Sequence, residues 1–176
     1  MARVPLLDVE DSPALKDLTD RIRAARRGRV IDVYRLLLHS PPLAETWFDH
    51  NNAVRWGTGL DGRLREMVII RIGYLAHGRY VIGQHVPKLA LGEGLTLGEC
   101  EELKDWQASD LFSPRDRAVL AYTDAMTRDI EVPDAVFEPL REYFDDRKIV
   151  ELTVLIGTYA MHVRVFEALK LDPEQG

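Results

Sequence analysis

Glu66 and His85, nineteen positions apart, are the residues whose types and setting suit proton chemistry. Glu66 leads into the greasiest stretch of the chain, Met67-Val-Ile-Ile-Arg-Ile-Gly-Tyr-Leu75. A carboxylate there either caps or pairs, as acids in a first helical turn commonly do, or is desolvated until it trades protons near neutral pH. His85 shares a face with Ile82, Val86 and Leu89 at helical spacing. On such a stripe a histidine is either a satisfied core residue or an acid–base group, because its ring titrates near pH 7. A carboxylate beside an imidazole orients one ring nitrogen and holds its proton, so the pair would be a proton-transfer unit.

Bringing them together is a matter of helices. The spacing predicts helical segments over 13–27, 29–39, 42–56, 62–77, 80–93, 97–107, 114–129, 134–144 and 146–169, and no sustained period-two alternation. Start signals are Ser12-Pro13, Ser40-Pro41-Pro42, the capping box Thr96-Leu-Gly-Glu99, the weaker Ser113-Pro-Arg-Asp116, and Val132-Pro133-Asp134. The link Ala76-His77-Gly78-Arg79 is tight, so segments 62–77 and 80–93 should pack antiparallel and can bring Glu66 to His85. Segments 62–77 and 146–169 are apolar almost all round and belong in a core or an oligomer interface. Glu66 before Ile72-Gly73-Tyr74 and Glu151 before Ile156-Gly157-Thr-Tyr159 look alike, through internal duplication or through convergence of two buried helices.

Composition narrows the classes. A chain of 176 residues, 46% of them apolar, suits one domain with a sizeable core. With 23 basic and 29 acidic residues, net charge −6, a nucleic-acid partner is not expected. The densest basic run, Arg21 to Arg29, lies at a helix end where cations offset the dipole. The single cysteine, Cys100, rules out an internal disulfide or a cysteine-based metal cluster and fits a reducing cytosol. The first ten residues lack the apolar core of a signal peptide, and Met67–Ala76 is interrupted by Arg71 and too short for a bilayer. The expectation is a cytoplasmic protein without membrane insertion.

The stretch from Arg63 to Gly94, with Glu66, His85, Ala90 and Gly92, resembles the signature of the carboxymuconolactone decarboxylase and alkylhydroperoxidase D-like family. Ser40 to Trp47, Ala118 to Asp129 and Val150 to Tyr159 look familial too, so the resemblance runs over about residues 28 to 170. It implies an all-α, single-domain multi-helix bundle over 1–176, with residues 1–12 a flexible or partner-wrapping arm, and a homo-oligomer, trimer or hexamer. The family's peroxidase branch carries Cys-x-x-Cys ahead of the histidine; here those positions are Gly78 and Val81. Thiol–disulfide chemistry needs a thiolate and a resolving thiol, so that activity is not expected. Cys100 stands among acidic residues that disfavour a thiolate.

What remains resembles the decarboxylase branch, which works without metal or organic cofactor. The resemblance implies a lyase acting on a small organic acid or lactone, with His85 as proton donor or shuttle and Glu66 setting its tautomer and raising its pKa. A non-enzymatic ligand-binding or assembly member is the alternative, and peroxidase activity through Cys100 alone a distant third. Tyr80 could donate to an oxyanion or simply pack. Arg71 could hold a substrate carboxylate, but a paired structural role is preferred for it. Trp56, with His50-Asn51-Asn52, can line a pocket or form a solvated side. His162, three residues from Tyr159, could complete a site across a subunit boundary. His77 should be exposed at its turn. The dispersed histidines offer no metal motif.

Overall fold

The computed structural model describes residues 2–9 and 13–173. Its elements in chain order are α1 (Lys16–Ala25), α2 (Asp32–Leu37), α3 (Pro41–Trp56), α4 (Gly62–Leu75), α5 (Arg79–Gln84), α6 (Ala90–Gly92), α7 (Leu97–Glu102), α8 (Pro114–Arg128), α9 (Asp134–Phe137) and α10 (Asp146–Leu169). Short 3-10 turns adjoin α1, α7 and α9, and a π-helical turn, His85–Leu89, joins α5 to α6. There are no strands among the described residues. The predicted all-α architecture is the observed one.

The capping chemistry works as the side chains dictate. Asp61 accepts from the Leu64 N–H at 2.8 Å to start α4, and Asp145 does the same for Lys148 at 2.8 Å to start α10. Thr96–Glu99 and Ser113–Asp116 both form reciprocal capping boxes. Ser12 and its proposed cap lie outside the described residues.

α4 is the centre of the bundle. Residues 64–73 are all buried, and the helix packs against α8, α10 and α5. α10 lies across α3, α4, α5 and α8, burying Leu152, Leu155, Ile156, Tyr159, Val163 and Phe166. By length and composition α10, not Met67–Ala76, is the described helix that comes nearest to a membrane span, and half of its most apolar window is buried in this core. Val150, Val154 and Met161 on its outer side are exposed.

Segment 80–93 is not one helix. Pro87 has no N–H to give to the carbonyl of Gly83, and its ring crowds that carbonyl. The backbone widens, and the Ala90 N–H bonds to the His85 carbonyl five residues back. The arm expected over 1–12 is, in its described part, laid on this chain itself. The Arg3 N–H donates to the Leu169 carbonyl, Leu7 pairs with Arg35 through both backbone and side chain, and Val9 is buried.

Candidate functional site

The short turn after α4 places α5 back along it, as the tight link requires. His77 takes a left-handed conformation (φ 54°) and is exposed. At Gly73 the helices touch: a Cβ there would stand 2.7 Å from Ile82 Cδ1. This close approach brings Glu66 and His85 together, with His85 Nδ1 2.5 Å from Glu66 Oε2.

Glu66 is sealed from solvent. Its second oxygen, Oε1, accepts from Arg55 Nη2 at 3.1 Å, and Arg65 Nε lies 4.0 Å away. Arg55 in turn donates through Nη1 to the Tyr159 hydroxyl at 2.7 Å. Burial pushes the Glu66 carboxyl up, but His85, Arg55 and Arg65 outweigh it and hold the group below its ordinary value. His85 is also shifted down. Burial is the chief cause, with Arg55 and Arg65 acting the same way, and the Glu66 carboxylate pulls up without overcoming them. Glu66 thus acts in the expected direction, raising the ring's proton affinity, but desolvation outweighs it and the net shift is downward. An ionised carboxylate only accepts, so a neutral ring carries its hydrogen on Nδ1 and keeps a lone pair on Nε2.

His85 forms part of the wall of a pocket of about 240 Å³. α3 contributes Trp47, Asn51, Arg55 and Trp56; α5 contributes Tyr80, Val81 and Gln84; α10 contributes Tyr159, His162 and Phe166; Arg26 and Arg27 come from the chain just after α1. Among the described residues the lining holds three arginines and no carboxylate. Trp47 stacks on His162, centroids 4.6 Å apart and planes at 14°. Burial, with His85, His50 and Arg55 nearby, pushes the His162 pKa down to about 3, so this ring is neutral.

The candidates thus divide. Glu66, His85, Tyr80 and Trp56 gather at or directly behind the pocket; Tyr80 packs edge-on against Phe166, centroids 5.1 Å apart. Arg71 does not join them. Its fork binds both Asp124 oxygens at 2.6 Å, and Nη1 reaches the Leu103 and Lys104 carbonyls at 2.7 and 2.9 Å. It does not line the pocket, so a substrate-holding role for Arg71 is withdrawn in favour of tying α4 to α8 and the turn after α7. His162 and Tyr159 line the pocket of their own chain. His50 bonds instead to Thr158 at 2.8 Å.

Arg55 is the residue that the sequence reading overlooked. Its signal was present: Trp47, Asn51 and Arg55 recur every four residues and share a face of α3. Where the peroxidase branch has cysteines, Gly78 is pressed against Val163, with room for no Cβ beyond 2.9 Å, and Val81 is buried. Cys100 is buried in the core, and burial together with Glu99 and Glu66 pushes its thiol up, away from thiolate. No cluster of three or more His, Cys, Asp or Glu side chains suited to a metal ion occurs among the described residues.

Residues 41–125, which carry Arg55, Glu66 and His85, match the model of the carboxymuconolactone decarboxylase family. Over that stretch, just under half of its length, the chain is similar to that family. Among curated proteins it is similar to YnjA of Escherichia coli, 30% identical over 118 residues, and to YdfG of Bacillus subtilis, 26% identical over 99 residues, both described as uncharacterized. These matches take in 66% and 53% of this chain and 64% of each relative. The fold is that of an alkylhydroperoxidase D core protein from Ralstonia eutropha, an uncharacterized peroxidase-related protein, with a TM-score of 0.83 at 22% identity over 99% of this chain and 93% of that one. With a single cysteine, this chain has no Cys-x-x-Cys. Tyr159 and His162 on α10 lie outside the residues that the family model matches.

Proposed function

We propose that this protein is a cofactor-independent lyase of the carboxymuconolactone decarboxylase type, acting on a small organic acid or lactone by proton transfer at His85. The observation that carries the reading is the ring's position. One nitrogen is tied to a sealed carboxylate, while the ring itself forms part of the wall of a ligand-sized pocket. The arginines of that wall favour an anionic guest.

Binding such a guest places negative charge beside His85 and raises the proton affinity of a ring that burial otherwise keeps neutral. Loss of carbon dioxide leaves its bonding electron pair on the substrate, delocalised into an adjacent carbonyl or conjugated lactone. His85 Nε2 then returns a proton to carbon, and solvent reprotonates the ring. Glu66 is a positioning residue: it fixes the Nδ1–H tautomer and steadies the imidazolium when it forms. The Tyr159 hydroxyl accepts from Arg55, so its own hydrogen is left for an oxyanion in the pocket. The homo-oligomer is part of the same reading, with Val150, Val154 and Met161 as the apolar face that a second copy would cover; a monomer at micromolar concentration in light scattering would remove that part.

The test is carbon dioxide release from a panel of unsaturated lactone acids, carboxymuconolactone among them. His85→Ala is expected to lower turnover by about a hundredfold or more, and Glu66→Gln by a similar order. Turnover that survives both changes overturns the assignment. A wild type that binds panel members without converting any is instead a non-enzymatic ligand-binding member of the family.

A further inference from the structure

The α3–α10 side of the pocket holds two polar groups that the protein leaves unanswered. His162 is 4% exposed, and its Nε2 has no hydrogen-bond partner. Asn51 Oδ1, on the turn of α3 after Trp47, is buried and equally unpaired. Both residues line the pocket. Burying such groups unpaired is costly, and their natural complement is a ligand group that supplies the missing bonds. His162 stays neutral, with its pKa near 3, so the partner it suits is a neutral one rather than an ion. A hydroxyl both donates and accepts, and so can answer an amide and an imidazole together.

The surrounding wall is flat and apolar. Trp47 is stacked on His162, and Phe166 is tilted against both, at centroid distances of 6.1 and 5.6 Å. A cavity of about 150 Å³ admits a benzene ring. A pocket of about 240 Å³ therefore admits one ring with its substituents.

We propose that the Trp47–Asn51–His162 wall recognises a hydroxyl group on a flat, unsaturated ring, so that the pocket takes hydroxy-substituted cyclic acids in preference to plain ones. This rests on reading the pocket as a site for a small organic acid; it does not depend on His85 performing chemistry there. A site built to bond a hydroxyl discriminates strongly against the analogue that lacks it, because its own polar groups are then left buried and unpaired.

The experiment uses benzoate and the three hydroxybenzoate isomers as probes, with binding followed by calorimetry and by quenching of the pocket tryptophans. For the wild type, at least one hydroxybenzoate should bind tenfold or more tightly than benzoate. In His162→Phe, which keeps the ring but not its nitrogens, and in Asn51→Leu, that advantage should shrink below threefold while benzoate affinity changes by less than threefold. His162→Gln, which restores a polar amide, should recover part of the preference. His85→Ala should keep the preference whatever it does to turnover, so failure of the lyase reading and failure of this one are told apart. Equal affinity for all four probes, no binding of any, or a preference that persists in both His162→Phe and Asn51→Leu overturns the proposal. The wild-type comparison decides even if a variant does not fold.

Discussion

Arg71 with Asp124 and Arg55 with Glu66 are both buried arginine–carboxylate pairs, and both are built on α4. Their α4 members, Arg71 and Glu66, stand five residues apart, which is about 140° round the helix, so they face different neighbours. On one side every arm is answered within the protein. Asp124 takes two bonds from Arg71 and one from Trp106 Nε1 at 3.3 Å, while the remaining Arg71 nitrogen is spent on carbonyls. On the other side the chain of bonds runs from Tyr159 through Arg55 and Glu66 and stops at His85, on a pocket. A buried ion pair is therefore not in itself a sign of function. What separates the two is whether the last group in the network has a valence left facing an opening.

The harshest way to test that contrast is to break the closed network. Asp124→Ala leaves the Arg71 guanidinium buried without its counter-charge. Removing one member of a buried pair costs about 3–5 kcal/mol, and chemical denaturation should show it as a large loss of stability. If the fold holds, ligand binding in the pocket should be unchanged. A stability loss below about 1 kcal/mol would mean that solvent or another side chain already answers Arg71.

Next in size is an acid effect confined to the open side. The folded pKa of His162, about 3, lies below its unfolded value of 6.5. Below pH 6.5 the unfolded chain takes up a proton that the folded one refuses, so stability falls as pH drops from 6.5 towards 3. A shift of that size corresponds to on the order of 4 kcal/mol at the acid end. His162→Phe should flatten this limb in denaturation curves taken across the window, with His85 supplying what slope remains there, since its pKa is lowered too. An unchanged acid limb in His162→Phe would show that the ring is not buried in its neutral form.

Glu66→Gln comes third as a stability change, at about 1–3 kcal/mol for weakened bonds to Arg55 and His85. Its sign with pH is fixed. The carboxyl's folded pKa is below its unfolded 4.5, so the wild type keeps this contribution above 4.5 and loses it as pH falls through the folded value. The variant should therefore be less stable at pH 7 and draw level with the wild type in strong acid. A gap that stays constant with pH would argue that Glu66 is not ionised in the fold.

How far the contrast could be read beforehand depends on chain distance. α10 was legible over its full length because apolar residues recur from Ile149 to Leu169, interrupted by single polar or charged side chains. Glu66 with His85 was legible because one tight turn joins their helices. Arg55 was not, although Glu66 is only 11 residues away: its other partner, Tyr159, is 104 residues away, and a lone arginine at the end of α3 reads as an ordinary complement to the helix dipole. The break at His85 was hidden for a different reason. Periodicity carries on through a π turn, and only the missing N–H of Pro87 marks the place.

Gly73→Ala gives the smallest change and the finest test. Gly73 lies on α4 beyond both networks, yet its bare face is where α5 comes close, and the added Cβ would meet the end of the Ile82 side chain at 2.7 Å. That methyl can swing aside, so the cost in stability should be about 1 kcal/mol, the low end for overpacking. The push is directional. It acts on α5 and through it on His85, whereas the Arg71–Asp124 pair sits on the α8 side of the same helix. Nitrogen NMR of the His85 ring should thus report a weakened Nδ1–H bond to Glu66, and turnover should fall by about tenfold, with the Arg71 guanidinium signals unmoved. Equal disturbance of both sets of signals would mean that α4 shifts as one body and that the two networks are coupled, which would undo the distinction between a closed pair and an open one.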